Sequence, residues 1–177
     1  VWCARHLVGN EPVAVILADD LIKGSNTIKE MISNYSSGNM LAIMDVNNQD
    51  VSSYGIISPG KTLENNMTEI LGLIEKPSID KAPSNMAVVG RYIIEPSVFK
   101  ELEKQNRGTS NEIQLTDAIA NRIGKSHCYG YKFTNDRFDC GSKLGFIQAN
   151  IKLSIERDDL SEKLKSWLKD EFLNGDV

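Results

Sequence analysis

The chain has 177 residues, enough for one domain with a real core, and its 41% hydrophobic and 25% charged residues are those of an ordinary globular protein. A net charge of -4, with no evidently basic face, argues against nucleic-acid binding, and the longest apolar run, Val13 to Ala18, is far too short to span a bilayer. The three cysteines, Cys3, Cys128 and Cys140, are widely spaced and form no CxxC pair, which excludes an evident zinc site or disulfide framework and points to reduced thiols in a cytoplasmic protein.

Val1 to His6 reads as a helix already under way; the chain does not open on Met, and no signal peptide is recognisable, so a piece of a longer protein is expected. Pro12 to Ala18 is a continuous apolar, β-branched run ending in Asp19-Asp20, which suits a central strand buried on both faces. Asn26 is placed to cap a helix with Ile28, Met31, Ile32 and Tyr35 on one side. Residues 39–46 form a second apolar strand, followed by the polar loop 47–50. Tyr54 to Ile57 opens a hairpin expected to close near Ser58-Pro59-Gly60. After the polar loop 64–66, a strand over 68–75 stops at Pro77, which cannot donate to a ladder. Residues 86–94 are another strand, and Pro96-Ser97 starts a helix through Leu102. Thr109-Ser110-Asn111-Glu112 has the spacing of a capping box, with Ile113, Ala120 and Ile123 along one face beyond it. A strand over 126–133 leads to a turn at 139–142 and a helix with Leu144, Ile147, Ile151 and Ile155 inward. Ser161 caps a last helix bearing Leu164, Trp167, Leu168 and Phe172, and the final five residues are expected to fray. Strands alternating with helices predict an α/β fold, with residues 1–177 as a single domain around a mixed sheet.

Some polar residues stand where such a fold does chemistry. Asp19 and Asp20 follow an apolar strand, and ligands of open α/β sheets collect at the carboxyl ends of strands. Adjacent residues on an extended backbone face opposite ways, so one carboxylate can hold a hard cation while the other caps or orients; a plain solvated turn is the other reading. Asp139, before a helix, is either a simple N-cap or a partner of Asp19 in a split site for magnesium, which asks for only one or two carboxylates beside water and phosphate. Glu75-Lys76-Pro77 is either a surface ion pair or a carboxylate for vicinal sugar hydroxyls beside an ammonium for phosphate. Gly55 and Gly90, in strand-like segments, mark either bulges or close approach of a ligand. Lys143 is in reach of a phosphate at the helix start, and His6 and His127 lack metal-ligand spacing and read as structural or surface residues. No GxSxG, HExxH or P-loop is present, so nothing points to a serine or cysteine nucleophile.

Taken in order, Pro12 to Asp20, Tyr54-Gly55, Ile74-Glu75-Lys76-Pro77, Ala82 to Asn85, Val89-Gly90-Arg91-Tyr92, Asn111 to Ile119 and Phe138 to Gly145 resemble the bacterial UTP–glucose-1-phosphate uridylyltransferases over residues 1–172. The resemblance implies a Rossmann-like nucleotidyltransferase fold with a mixed, mostly parallel sheet, in which this chain forms the C-terminal portion. It implies the reaction of UTP with glucose 1-phosphate to UDP-glucose and pyrophosphate, with Mg²⁺ as cofactor, and assembly as a homodimer or homotetramer. Carried over by motif, Asp19 and Asp139 are the metal carboxylates, Glu75 accepts from glucose hydroxyls and Lys76 pairs with phosphates, so that Lys76, Asp19 and Asp139 are the catalytic set. Gly55 and Gly90 let backbone approach the sugar, Lys143 is a candidate phosphate contact, and Asp20 supports Asp19 or touches the sugar.

The chain departs from the family pattern in showing no glycine-rich loop with its arginine and lysine, which cradles the UTP phosphates in family members, and in having Ala18 where proline is frequent. The isolated chain is therefore expected not to turn over. A thymidylyl- or cytidylyltransferase acting on sugar phosphates, or a non-catalytic regulatory homologue, are the alternatives, and Asp19, Asp139, Glu75 and Lys76 argue against the last.

Overall fold

The computed structural model describes residues 1–24, 26–104 and 114–172. They fall into two compact units, one from Val1–Leu17 and Gly24–Asn135, the other from Ala18–Lys23 and Asp136–Val177. The proposed capping box at Thr109 to Glu112, the inward Ile113 and the five terminal residues lie outside the described residues.

The first unit is built on a six-stranded sheet. Its strands are β1 (Val13–Ile16), β3 (Asn39–Asp45), β4 (Gly55–Thr62), β5 (Met67–Glu75), β6 (Met86–Ile94) and β7 (Cys128–Lys132), in the spatial order β1-β6-β3-β7-β5-β4, with β4 also touching β6 at Ile56 and Ala87. Strand β2 (Asp20–Ile22) belongs to the second unit. Among the described residues, helices α1 (Arg5–Val8), α2 (Thr27–Asn34), α3 (Ser97–Lys104) and α4 (Leu115–Ala120) accompany the sheet. The core gathers Leu41 and Ile43 of β3, Ile57 of β4, Ile70 and Leu73 of β5 and Val88, Tyr92 and Ile94 of β6 against Val98, Phe99 and Leu102 of α3 and Ala118 and Ile119 of α4. In β3 the first five residues are all buried, as expected for a strand covered on both faces.

The sheet is mixed, as the sequence predicts, but it is mostly antiparallel rather than mostly parallel. Among the described strands of this sheet, β3 and β7 run parallel and the other neighbours are antiparallel. The reason lies in the connections. Between β3 and α3 the chain contains only short 3₁₀ turns, at Asn48–Ser53 and Ile79–Lys81, and no crossover helix, so successive strands fold back on one another. The strand over 13–16 is also not central. Among the described residues it lies at one end of the sheet, paired with β6 from Val13–Ile94 to Ile16–Arg91. Val13 and Val15 pack on the core while Ala14 and Ile16 are exposed. A short apolar run reads alike in either position.

The β4–β5 hairpin does not close at Ser58-Pro59-Gly60. Strand β4 runs through these residues with irregular register and turns at Asn65 and Asn66, both with positive φ (57° and 60°), where asparagine is well tolerated.

In the second unit, β2 (Asp20–Ile22) pairs antiparallel with β8 (Arg137–Asp139), followed by α5 (Lys143–Ile155) and α6 (Ser161–Phe172). Ser142 caps α5, its Oγ accepting from the Gly145 amide at 3.0 Å. The expected inward face of α5 is overturned: Gly145 and Ala149 are its buried residues, while Leu144 and Ile147 are more than half exposed. On α6, Trp167 and Phe172 are exposed and meet edge to face.

Candidate active site

Asp19 and Asp139 come together in the second unit although 120 residues of sequence separate them. The β2–β8 ladder places Asp20 opposite Asp139, and the Cys140 amide donates to the Asp19 carbonyl at 2.7 Å. The Gly141 amide donates to Asp139 Oδ1 at 3.0 Å, which fixes that carboxylate at the turn into α5. A Cβ at Gly141 would lie 3.0 Å from Asp19 Oδ2 and 3.1 Å from Asp139 Oδ1. One absent side chain therefore leaves open a space that both carboxylates border. Two carboxylates and open volume suit a magnesium ion completed by water and phosphate oxygens; among the described residues no set of three or more His, Cys, Asp or Glu forms a closed metal cage. Asp20 faces the other way. It is buried and paired with Arg137, so its charge is compensated inside the β2–β8 ribbon. Lys143, the first residue of α5, is exposed.

The first unit holds the remaining candidates. Gly55 begins β4 and lies directly opposite Glu75, the last residue of β5. Side chains at directly opposed positions share a face, so glycine at 55 leaves room beside the Glu75 carboxylate. That carboxylate, half-buried, accepts a hydrogen bond from Thr116 Oγ1 at 2.7 Å. Lys76 is exposed and has φ 45°, with its amide donating to the Tyr54 carbonyl at 3.0 Å. A left-handed lysine costs about 1–2 kcal/mol, and it ends the strand's alternation just before the buried Pro77. Gly90 is buried within β6, its carbonyl accepting from the Leu17 amide at 2.9 Å and from Arg91 Nη1 at 2.9 Å.

Thr116 sits on α4, and α4 is tied to β6 by charge. Arg122, just beyond α4, pairs with Glu95 at 3.1 Å and reaches Glu101 of α3 at 3.9 Å. Burial works against the ionised Glu95, but hydrogen bonds from Ser97, Ser126 and Arg122, with the Arg122 charge, outweigh it and hold the carboxyl below its usual value. Cys128 feels the opposite balance: burial, reinforced by the Glu95 charge, pushes its thiol up to about 12. The three cysteines are free, and His6 and His127 lie at the surface.

Sequence reasoning gave Thr116 and Arg137 no role. Thr116 lies within the Asn111 to Ile119 stretch, and a short polar residue in the first turn of an apolar helix is the available signal. Nothing local marked Arg137 as the partner of a carboxylate 117 positions away.

The chain is 35% identical over 172 residues to UTP–glucose-1-phosphate uridylyltransferase 1 of Staphylococcus saprophyticus, covering 96% of this chain and 60% of that protein. It is 41% identical over 171 residues to the UTP–glucose-1-phosphate uridylyltransferase of Komagataeibacter xylinus, covering 95% and 57%. It superposes on a crystal structure of UDP-glucose pyrophosphorylase complexed with UDP-glucose with a TM-score of 0.83 at 40% identity, over 88% of this chain and 61% of that one. The chain thus spans about three fifths of the length of the relatives it matches. The family model for nucleotidyl transferases matches residues 1–155, through both units, and the chain belongs to the nucleotidyl transferase family.

Proposed function

We propose that this chain works in a UTP–glucose-1-phosphate uridylyltransferase, as part of one nucleotidyltransferase domain that contributes sugar-phosphate and metal contacts. In that reaction an oxygen of the glucose 1-phosphate phosphate attacks the α-phosphorus of UTP. The bond from that phosphorus to the bridging oxygen breaks, and pyrophosphate leaves with the electron pair. No covalent bond to protein is needed, so the residues have alignment and charge to supply.

Glu75 accepts hydrogen bonds from glucose hydroxyls in the space left by Gly55, with Gly90 providing backbone close to the sugar. Lys76 sets an ammonium against phosphate; at about 4 Å and an effective dielectric of about 20 such an attraction amounts to about 4 kcal/mol before desolvation. Asp19 and Asp139 hold Mg²⁺, and a bound Mg²⁺ supplies neutralisation of phosphate charge. Asp20 supports Asp19 through the β2–β8 ribbon, and Lys143 adds a phosphate contact at the start of α5. The observation that carries the reading is the meeting of Asp19 and Asp139 across Gly141. The names of the relatives supply the nucleotide and the sugar; our reading adds a cytoplasmic homo-oligomer of bacterial carbohydrate metabolism.

Calorimetric titration of UDP-glucose into the full-length protein tests it, with and without Mg²⁺, in wild type, Asp139→Ala and Glu75→Gln. Binding should require Mg²⁺ and Asp139, and Glu75→Gln should weaken UDP-glucose more than UTP. Binding indifferent to all three changes would sink the assignment.

A further inference from the structure

We infer that Thr116 is a positioning residue that sets the Glu75 carboxylate for sugar recognition, with Gly55 as the gap that lets the two meet. The inference rests on the reading of Glu75 as the acceptor of sugar hydroxyls.

Thr116 is 7% exposed, whereas Glu75 is half-buried. The hydroxyl donates to Glu75 Oε2 at 2.7 Å, so one carboxylate oxygen is engaged by the protein and Oε1 has no such tie to Thr116. A glutamate at the end of a strand has three side-chain torsions to order before it can recognise a sugar. A fixed donor removes much of that freedom in advance, which is the physical content of preorganisation. The donor is itself held on a rigid element. Thr116 lies in α4, whose Ala118 and Ile119 are 0% exposed in the core. The Arg122 pairs with Glu95 and Glu101 then fix the end of that helix.

Gly55 completes the arrangement. A Cβ there would stand 3.0 Å from Thr116 Cγ2 and 3.1 Å from Glu75 Oε2, wedged against both partners of the hydrogen bond. The same atoms explain why threonine suits position 116. Its hydroxyl meets Glu75 while its methyl fills the face of Gly55, so serine keeps the first contact and valine only the second.

The test measures UDP-glucose and UTP affinities of the full-length protein by calorimetry in Thr116→Val, Thr116→Ser, Gly55→Ala and Glu75→Gln, with thermal melts of each. We expect Thr116→Val to weaken UDP-glucose about tenfold with UTP within about twofold, Thr116→Ser to stay near wild type, and Gly55→Ala to reproduce the sugar-selective loss. A crystal structure of Thr116→Val should show Glu75 in more than one rotamer. Valine and serine weakening both ligands alike would make Thr116 a packing residue and overturn the inference, as would an unaffected Thr116→Val. If Thr116→Val does not fold, Thr116→Ala, which removes the donor without adding bulk, decides by the same split between ligands. Loss of sugar affinity in Glu75→Gln but in neither Thr116→Val nor Gly55→Ala would refute the inference while leaving the function intact; Glu75→Gln without effect would remove the function beneath it.

Discussion

Gly141 is where the metal reading can be tested with the smallest change. A Cβ there would meet one oxygen of each carboxylate, Asp19 Oδ2 at 3.0 Å and Asp139 Oδ1 at 3.1 Å. Gly141→Ala should keep the fold, because the ladder and the Ser142 cap do not involve that Cβ, and should reduce Mg²⁺ affinity at least about tenfold, in the range seen when groups beside metal ligands are altered. Competition against Mn²⁺ read by electron paramagnetic resonance measures it; unchanged affinity would mean that the carboxylates do not share an ion. Lys76 offers a second test, of strain stored for function. Lys76→Gly and Lys76→Ala both remove the ammonium, but only glycine relieves φ 45°. The glycine variant should be more stable than the alanine variant by about 1 kcal/mol in urea denaturation, with both equally poor in binding phosphate. Equal stabilities would show that the backbone holds no strain there. At this scale Asp19, Asp139 and Glu75-Lys76 stand out as candidates because charge beside a strand end or helix start is conspicuous in one dimension. Thr116 and Arg137 do not, because their importance comes only from partners far along the chain.

Elements were readable where a local pattern decides them and obscure where a distant neighbour does. Strand β6 and the end of β5 fall where the apolar run and Pro77 place them. The hairpin turn was misplaced because Ser58-Pro59-Gly60 carries stronger turn chemistry than Asn65-Asn66, yet β4 absorbs the proline through a break in register. The edge position of β1 depends on which strands lie beside it, and no residue in 13–16 encodes that. Beside the core packing and the Thr116–Glu75 bond, the cluster of Glu95 with Ser97, Arg122 and Ser126 ties the segment after α4 to the end of β6. Glu95→Gln should therefore cost about 1–3 kcal/mol at pH 7. A carboxyl held below its ordinary 4.5 stabilises the fold above that value and loses the contribution as pH falls through the depressed one. The gap between wild type and Glu95→Gln should accordingly close on acidification, as chemical denaturation at neutral and acid pH will show; a gap that persists in acid would trace to packing. The neighbouring Cys128, buried and with its thiol raised to about 12, should resist iodoacetamide at pH 8 while the exposed Cys3 is modified, with mass spectrometry of the peptides as readout.

For the whole molecule the governing fact is one of sign. The chain carries a net charge of -4, and the ligand proposed for it is a polyanion. Asp19 and Asp139 without an ion repel phosphates, while an ion between them turns repulsion into attraction, so Mg²⁺ and UDP-glucose should bind with positive coupling. Coupling of equilibrium affinities is reciprocal, and UDP-glucose must then raise the affinity for Mg²⁺ by the same factor that Mg²⁺ raises its own. The stability of the full-length protein makes this measurable, since a ligand present at a hundred times its dissociation constant adds about 2.7 kcal/mol. Melting curves with Mg²⁺ alone, UDP-glucose alone and both together should show a joint rise larger than the sum of the separate ones, abolished by EDTA. Asp139→Asn keeps the shape of the β8 turn and removes one of the two charges, so it should melt near wild type without ligands and lose the excess. If the separate rises simply add, or if Asp139→Asn couples the two ligands as well as wild type does, the aspartates serve the turn alone, and the phosphate charge must be met elsewhere in the protein.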